Sequence, residues 1–191
     1  MSDAAKATIG VSLIPNIITS RDKERNARLQ RERVSYSTND QIQIALIGAG
    51  GMGVADAVTA ISVPGIKLIA ACDLYDGRLA EAKKRWGNDI TTTRNFQEIL
   101  ERKDIDAVVI ATPDHWHKDI SVAAMDKGKH VYCEKPMTHD ISEGPAVVAA
   151  QTRNKVVYEV GSQGVSSLGN EKAKQLLSDG AIGQLNYAEG F

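Results

Sequence analysis

An apolar run, IQIALI at residues 42–47, stops abruptly at GAGGMG, residues 48–53, and this junction narrows the possible folds more than any other stretch of the chain. Ile42, Ile44, Leu46 and Ile47 predict a buried strand, and Gly48, Gly50 and Gly53 follow it in G-x-G-x-x-G spacing. The first glycine permits a tight turn, the second lets a pyrophosphate approach the backbone, and the third lets the next helix pack against the strand. That helix, expected over 52–62, aims its unpaired N–H groups at an anion. Glycine-rich turns also occur without a ligand, so a second signal matters. A second strand, IKLIAACD, ends in Asp73, twenty positions after Gly53, the spacing at which an acid meets an adenosine ribose hydroxyl. Together they predict a dinucleotide site of Gly48, Ala49, Gly50, Gly51, Met52, Gly53, Asp73 and Leu74.

From Gln41 onward strand and helix patterns alternate. Strands are expected at 42–48, 66–73, 90–93, 105–112, 129–134 and 155–162, with helices at about 52–62, 77–86, 95–101, 117–127 and 142–153. Short β-branched runs separated by helices of about ten residues predict an α/β fold, a Rossmann-type doubly wound parallel sheet. The domain is expected over 41–162, followed at 163–191 by the start of a second domain. Sheets of this kind bind ligands beyond the carboxyl ends of their strands.

The first forty residues stand outside this rhythm. Residues 4–20 are apolar and rich in small side chains, like the later part of an export signal, but no basic segment precedes them. They read as a signal remnant or as an arm that packs on a partner subunit. Residues 21–33, RDKERNARLQRER, read as a solvated helix or linker. A complete natural export signal would place the protein in the periplasm; without one it is expected in the cytoplasm. The formal net charge of −1 gives no reason to expect nucleic acid, and no apolar run is long enough to cross a bilayer. Cys72 and Cys133, each at a strand end, are expected to be free core thiols.

Two further strand ends carry chemistry. The fourth runs into ATPDHWH, residues 111–117, where Thr112-Pro113 turns the chain out of the sheet. His115 and His117 have H-x-H spacing, but no carboxylate or cysteine set completes a metal site, and none is expected. His117 reads either as a cap on the next helix or, with His115 and Trp116, as a wall of the nicotinamide or substrate pocket. The fifth strand ends in Glu134-Lys135-Pro136. Such a pair is commonly a surface ion pair. At this edge Lys135 could instead hydrogen-bond a substrate hydroxyl and stabilise an alkoxide, or relay a proton.

These segments resemble the glucose–fructose oxidoreductase / inositol dehydrogenase / rhizopine-catabolism (Gfo/Idh/MocA) family. The matching pieces are GAGGMG at 48–53, CD at 72–73, ATPDHWH at 111–117, GKHVYCEKPMT at 128–138 and VGSQ at 160–163. The resemblance implies a nicotinamide cofactor, a sugar or cyclitol substrate, and a homo-oligomer. It places Gly48, Gly50, Gly53 and Asp73 on the cofactor, with Ala111, Thr112, Pro113, His115, His117 and Gln163 beside it. Glu134 goes to the nicotinamide side and Lys135 to substrate and catalysis. Asp73 favours NAD, because its carboxylate repels a 2′-phosphate, while Arg78 could stack on adenine or partly accommodate NADP. The family continues into an α+β domain with an open, mostly antiparallel sheet that supplies an aspartate/histidine pair. Here a helix at Glu171–Ser178 and a strand start at 184–191 are its expected beginning, with an exposed apolar sheet edge. Val165 stands where many relatives place an arginine. The implied activity is hydride transfer between nicotinamide and a sugar-like hydroxyl. The alternatives are an NAD-dependent glycosidase that oxidises its sugar transiently and a non-catalytic dinucleotide-binding module.

Overall fold

A computed structural model describes residues 40–189. The chain separates into Met1–Asp40 and Gln41–Phe191, and the signal-like and linker expectations for 1–39 lie outside the described residues.

The second unit is built on six parallel strands: β1 (Ile42–Ile47), β2 (Ile66–Cys72), β3 (Thr91–Thr93), β4 (Ala107–Ile110), β5 (His130–Glu134) and β6 (Tyr158–Gly161). Their order is β3-β2-β1-β4-β5-β6. The chain steps outward from β1 to β3 and then returns to β1's other side as β4. The crevice between the connections after β1 and β4 is therefore a topological switch point, where such sheets take ligands. The helices are α1 (Gly51–Ile61), α2 (Asp76–Trp86), α3 (Phe96–Leu100), α4 (His117–Asp126), α5 (Gly144–Asn154) and α6 (Leu168–Ser178).

Strand alternation divides the core between the two sheet faces. Ile44 and Leu46 join Ala57 of α1 and Ala82 of α2 on one side. Ala45 and Ile47 join Ile99, Ile120 and Val147 from α3, α4 and α5 on the other. The register slips between Ile44 and Ala45, which pair with Leu68 and Ala70 and leave Ile69 as a bulge. Cys72 and Cys133 are free and buried, as expected.

All six strands are shorter than the sequence suggests, and two of them start two or more residues late. Before β6, Lys155 takes a left-handed turn at φ 54 and closes α5, so the strand starts at Tyr158 rather than 155. Before β4, Asp106 still donates to the Gln43 carbonyl (2.8 Å), but the ladder itself begins at Ala107. The expected strand over 184–191 is corrected across its described part, since residues 184–189 take no regular structure. A strand needs a neighbour to pair with, and none lies beside this segment among the described residues. The apolar surface near this end is therefore not a sheet edge. It consists of single exposed side chains, among them Leu177, Ile182, Leu185 and Tyr187.

Candidate nucleotide-binding and catalytic edge

The glycine turn is built by close backbone packing. Gly48 adopts φ +96 and donates its N–H to the Cys72 carbonyl at 2.8 Å. A Cβ on Gly48 would lie 2.5 Å from the Ala111 oxygen, and one on Gly53 only 2.0 Å from the Gly48 oxygen. These two glycines let β1, β4 and α1 meet. Gly50 and Gly51 differ: a Cβ on Gly50 would touch only the Arg78 guanidinium at 3.6 Å, and one on Gly51 would meet nothing within 4 Å. Gly50 is the N-cap of α1, no side chain caps the helix, and its first turn holds no acid. An uncapped helix start with open space in front of it is an anion cradle.

Asp73 closes the other side of this turn. Its buried carboxylate accepts from the Ala49 N–H at 2.8 Å and the Tyr75 N–H at 2.9 Å, and Arg78 Nη1 stands 3.4 Å from Oδ2. The acid of the second strand is thus bonded into the glycine turn of the first. Beside it opens a cavity of about 570 Å³ between the ends of β2 and β4. Leu74, Arg78, Ala111 and Pro113 line it, with Phe96 and Trp116 forming an aromatic corner, ring centroids 6.3 Å apart and edge to face at 63°. Cradle, carboxylate and apolar walls fit the phosphates, ribose and base of a dinucleotide.

Arg94 and Phe96 also line this cavity, and the sequence reading missed both. They follow β3, the weakest strand signal, and its position at the ligand edge was their only cue. Arg94 is held by Asp76 through two contacts of 3.2 Å.

The residues after β4 divide. His115 and Trp116 line the same cavity as Asp73. His139 Nδ1 lies 3.1 Å from Asp114 Oδ2, which ties the β4 and β5 loops together at the surface. That contact raises the His139 pKa and lowers that of Asp114. His117 is corrected as a cofactor contact and as a side-chain cap. It is buried at 1% exposure, and its Nδ1 and Nε2 face the Pro136 and Thr112 carbonyls at 2.6 and 2.9 Å. With both ring nitrogens engaged by backbone, none is left to reach a ligand or cap a helix. Burial lowers its pKa, but the Cys133 sulfur and the two carbonyls outweigh that and hold it up at about 9.

A polar cluster lies at the ends of β5 and β6. Glu134 is buried, and the Gln163 side-chain amide donates to its Oε1 and, at 3.3 Å, to Asp56 Oδ1. Gly161 makes room for this group, because a Cβ there would lie 2.5 Å from Glu134 Oε1 and 2.8 Å from the Tyr132 hydroxyl. Burial first, and then the Glu134 charge, raises the pKa of Asp56, whose Oδ2 is buried without a hydrogen-bond partner. Burial and these same two acids push the Tyr132 phenol up to about 12. Asp56 was not singled out from the sequence. The available cue was its place on α1, one turn beyond Met52 on a helix that starts at the glycine turn. Lys135 follows Glu134 directly and is exposed, with no hydrogen bond or ion pair among the described residues. Among those residues no group of three His, Cys, Asp or Glu side chains could hold a metal, and no helix is long and apolar enough to cross a membrane.

Comparison with known proteins identifies the family. Residues 42–162 match the model of an oxidoreductase family with an NAD-binding Rossmann fold. The scyllo-inositol 2-dehydrogenase (NAD(+)) of Bacillus subtilis is 32% identical over 152 residues, which cover 79% of this chain and 44% of that enzyme. A glycosyl hydrolase family 109 protein of Solibacter usitatus is 31% identical over 121 residues, 58% of this chain and 27% of its own length. Among solved structures, scyllo-inositol dehydrogenase from Lactobacillus casei with bound NAD(H) and scyllo-inositol matches at TM-score 0.68 and 29% identity, covering 75% of this chain and 43% of that one. The chain therefore spans less than half the length of these relatives.

Proposed function

This chain belongs to the oxidoreductase family with an NAD-binding Rossmann fold, and from that premise we propose that it is the cofactor-binding part of an enzyme that oxidises or reduces a sugar or cyclitol hydroxyl with NAD. The observation that carries the proposal is the shared edge. The glycine turn, Asp73 and Glu134-Lys135 stand at the carboxyl ends of β1, β2 and β5 of one parallel sheet.

The N–H groups at the start of α1 receive the pyrophosphate, assisted by the helix dipole. Asp73 accepts from the adenosine ribose and disfavours a 2′-phosphate at the same position. The cavity between β2 and β4 takes the base against Leu74, Pro113 and Arg78. Lys135, with no competing partner among the described residues, donates to the substrate hydroxyl and stabilises its oxygen as negative charge develops there. When bound, the nicotinamide supplies the hydride-accepting carbon. The hydroxyl proton passes to a base outside residues 40–189. A homo-oligomer is the proposed assembly.

The family 109 relative supports a second reading, in which the sugar is oxidised transiently, cleaved by elimination and reduced again. Net NADH accumulation separates the two, because only the dehydrogenase releases it. The first test is calorimetric titration of the chain with NAD and NADP. NAD binding, with NADP weaker, is the expected result, and folded protein that binds neither would overturn the proposal. Inositols and anhydrosugars offered with NAD to the full-length protein then report NADH release.

A further inference from the structure

We infer that His117 is a positioning residue, a doubly protonated imidazolium that ties the turn after β4 to the turn after β5 and so fixes Lys135 at the ligand edge. Its link to catalysis rests on the function proposed for Lys135; its protonation state does not.

The inference starts from the two acceptors. Nδ1 lies 2.6 Å from the Pro136 oxygen and Nε2 lies 2.9 Å from the Thr112 oxygen. A carbonyl oxygen accepts and cannot donate, whereas neutral imidazole carries a single N–H. A neutral ring here would aim one nitrogen lone pair at an oxygen lone pair within hydrogen-bonding distance. Burial at 1% exposure leaves no space for water to relieve that contact. Only the imidazolium satisfies both carbonyls.

The surroundings permit the charge. From β5 the Cys133 sulfur lies against the ring, and the Tyr158 hydroxyl of β6 approaches Cys133 and, at 3.5 Å, Ser121 of α4. These are the titratable groups that the structure places around His117 among the described residues. No carboxylate among the described residues neutralises it, so the Cys133 sulfur and the two carbonyl dipoles carry the compensation, and charge-assisted bonds of this kind are stronger than neutral ones.

The two carbonyls lie on different parts of the site. Thr112 belongs to the cavity beside Asp73, whereas Pro136 immediately follows Lys135. Both carbonyls lie past the sheet ladder, since β4 ends at Ile110, with one further bond from the Ala111 N–H to the Ile47 carbonyl at 2.9 Å, and β5 ends at Glu134. The imidazolium cross-links them beyond the ladder, so the backbone that carries Lys135 is referenced to the wall of the cofactor cavity. A displacement of about 1 Å of a catalytic group can cost a hundredfold in rate.

The test is a nitrogen spectrum of the chain labelled with 15N-histidine, recorded without cofactor. Both His117 ring nitrogens are expected to be protonated at neutral pH and to titrate only well into the alkaline range. A pyridine-type nitrogen on His117 at neutral pH would overturn the inference. Assignment comes from ring-to-backbone correlation in the wild type, so it does not depend on a variant that folds. In the full-length enzyme, His117→Gln keeps at most one of the two bonds. Its kcat is expected to fall by roughly tenfold to a hundredfold with the KM for NAD moving much less. An unchanged kcat would refute the link to Lys135. Absence of dehydrogenase activity in the wild type would refute the proposed function and leave the spectrum to decide His117.

Discussion

Asp73→Ala is expected to weaken both the fold and the cofactor site, and the structure separates the two effects. The carboxylate accepts from Ala49, which is 5% exposed, and from Tyr75, which is 67% exposed. Removing it strands the Ala49 N–H in the interior, whereas the Tyr75 N–H can turn to water. A hydrogen bond to a charged group contributes about 1.5–3 kcal/mol. Counting Ala49 in full and Tyr75 at a fraction gives a loss of about 2–4 kcal/mol, a serious fraction of the ~5–15 kcal/mol typical of a domain. Arg78 adds little, because its side chain is 54% exposed and 3.4 Å away. Asp73→Asn keeps an oxygen for one of the two N–H groups, so it falls between wild type and alanine. Urea denaturation followed by circular dichroism is expected to give midpoints in the order wild type, asparagine, alanine. Calorimetry at low temperature, where all three are folded, is expected to show NAD affinity reduced by about tenfold to a hundredfold in both variants. An alanine variant with the wild-type midpoint would refute the structural half of the reasoning. Unchanged NAD affinity in folded variants would refute the ribose contact.

The other expectations are brief. Gly53→Ala places a Cβ 2.0 Å from a backbone oxygen and is expected to cost about 3 kcal/mol or more, whereas Gly51→Ala has open space and gains about 0.5–1 kcal/mol in helix stability; equal urea midpoints for the pair would contradict the packing of α1. Because the His117 pKa is raised from 6.5 to about 9, its contribution is complete below pH 6.5 and is lost as pH rises through 9. At full strength it amounts to about 3 kcal/mol, so the loss of stability across that alkaline window in the wild type is expected to be absent in His117→Gln. Asp56→Asn removes a carboxyl whose ionisation is opposed by burial and by Glu134, so at neutral pH it is expected to raise the urea midpoint.

What could be read from the sequence was what local chemistry determines. Each strand of the sheet announces itself by a short apolar or β-branched run, and the glycine turn by its spacing, because sterics among near neighbours decide both. Strand ends were less legible. Lys155 carries no sign that it will take φ 54 and delay β6, since that turn depends on how α5 ends. In the polar cluster, Asp56 was hardest to find. Asp56 and Gln163 lie 107 positions apart and meet only because α1 and the end of β6 converge on Glu134. His117 was misread for the same reason. Its neighbours in sequence make it a cap or a wall, whereas its bonding partners lie five and nineteen positions away on two different turns. The strand expected at 184–191 failed differently, because its composition suits a strand but no neighbour stands beside its described part.

The two ends of the ligand edge also differ in what they cost the fold. At the β2–β4 end, one carboxylate is satisfied by two backbone N–H groups and faced by apolar walls, an arrangement any stable protein could keep. At the β5–β6 end, Asp56 and Glu134 crowd together around a single amide, and one carboxyl oxygen is buried without a partner. Burial and the neighbouring Glu134 charge disfavour ionisation of Asp56, and an amide of the same shape would fill the space without that repulsion. Packing alone gives no reason to retain both. An unfavourable arrangement beside a lysine with no partner among the described residues, at the carboxyl end of a parallel sheet, is what a reactive site requires, because groups held ready for a ligand cannot satisfy one another fully beforehand. The burial and charge that oppose ionisation of Asp56 therefore support assigning the proposed chemistry to this end rather than to the pocket at Asp73.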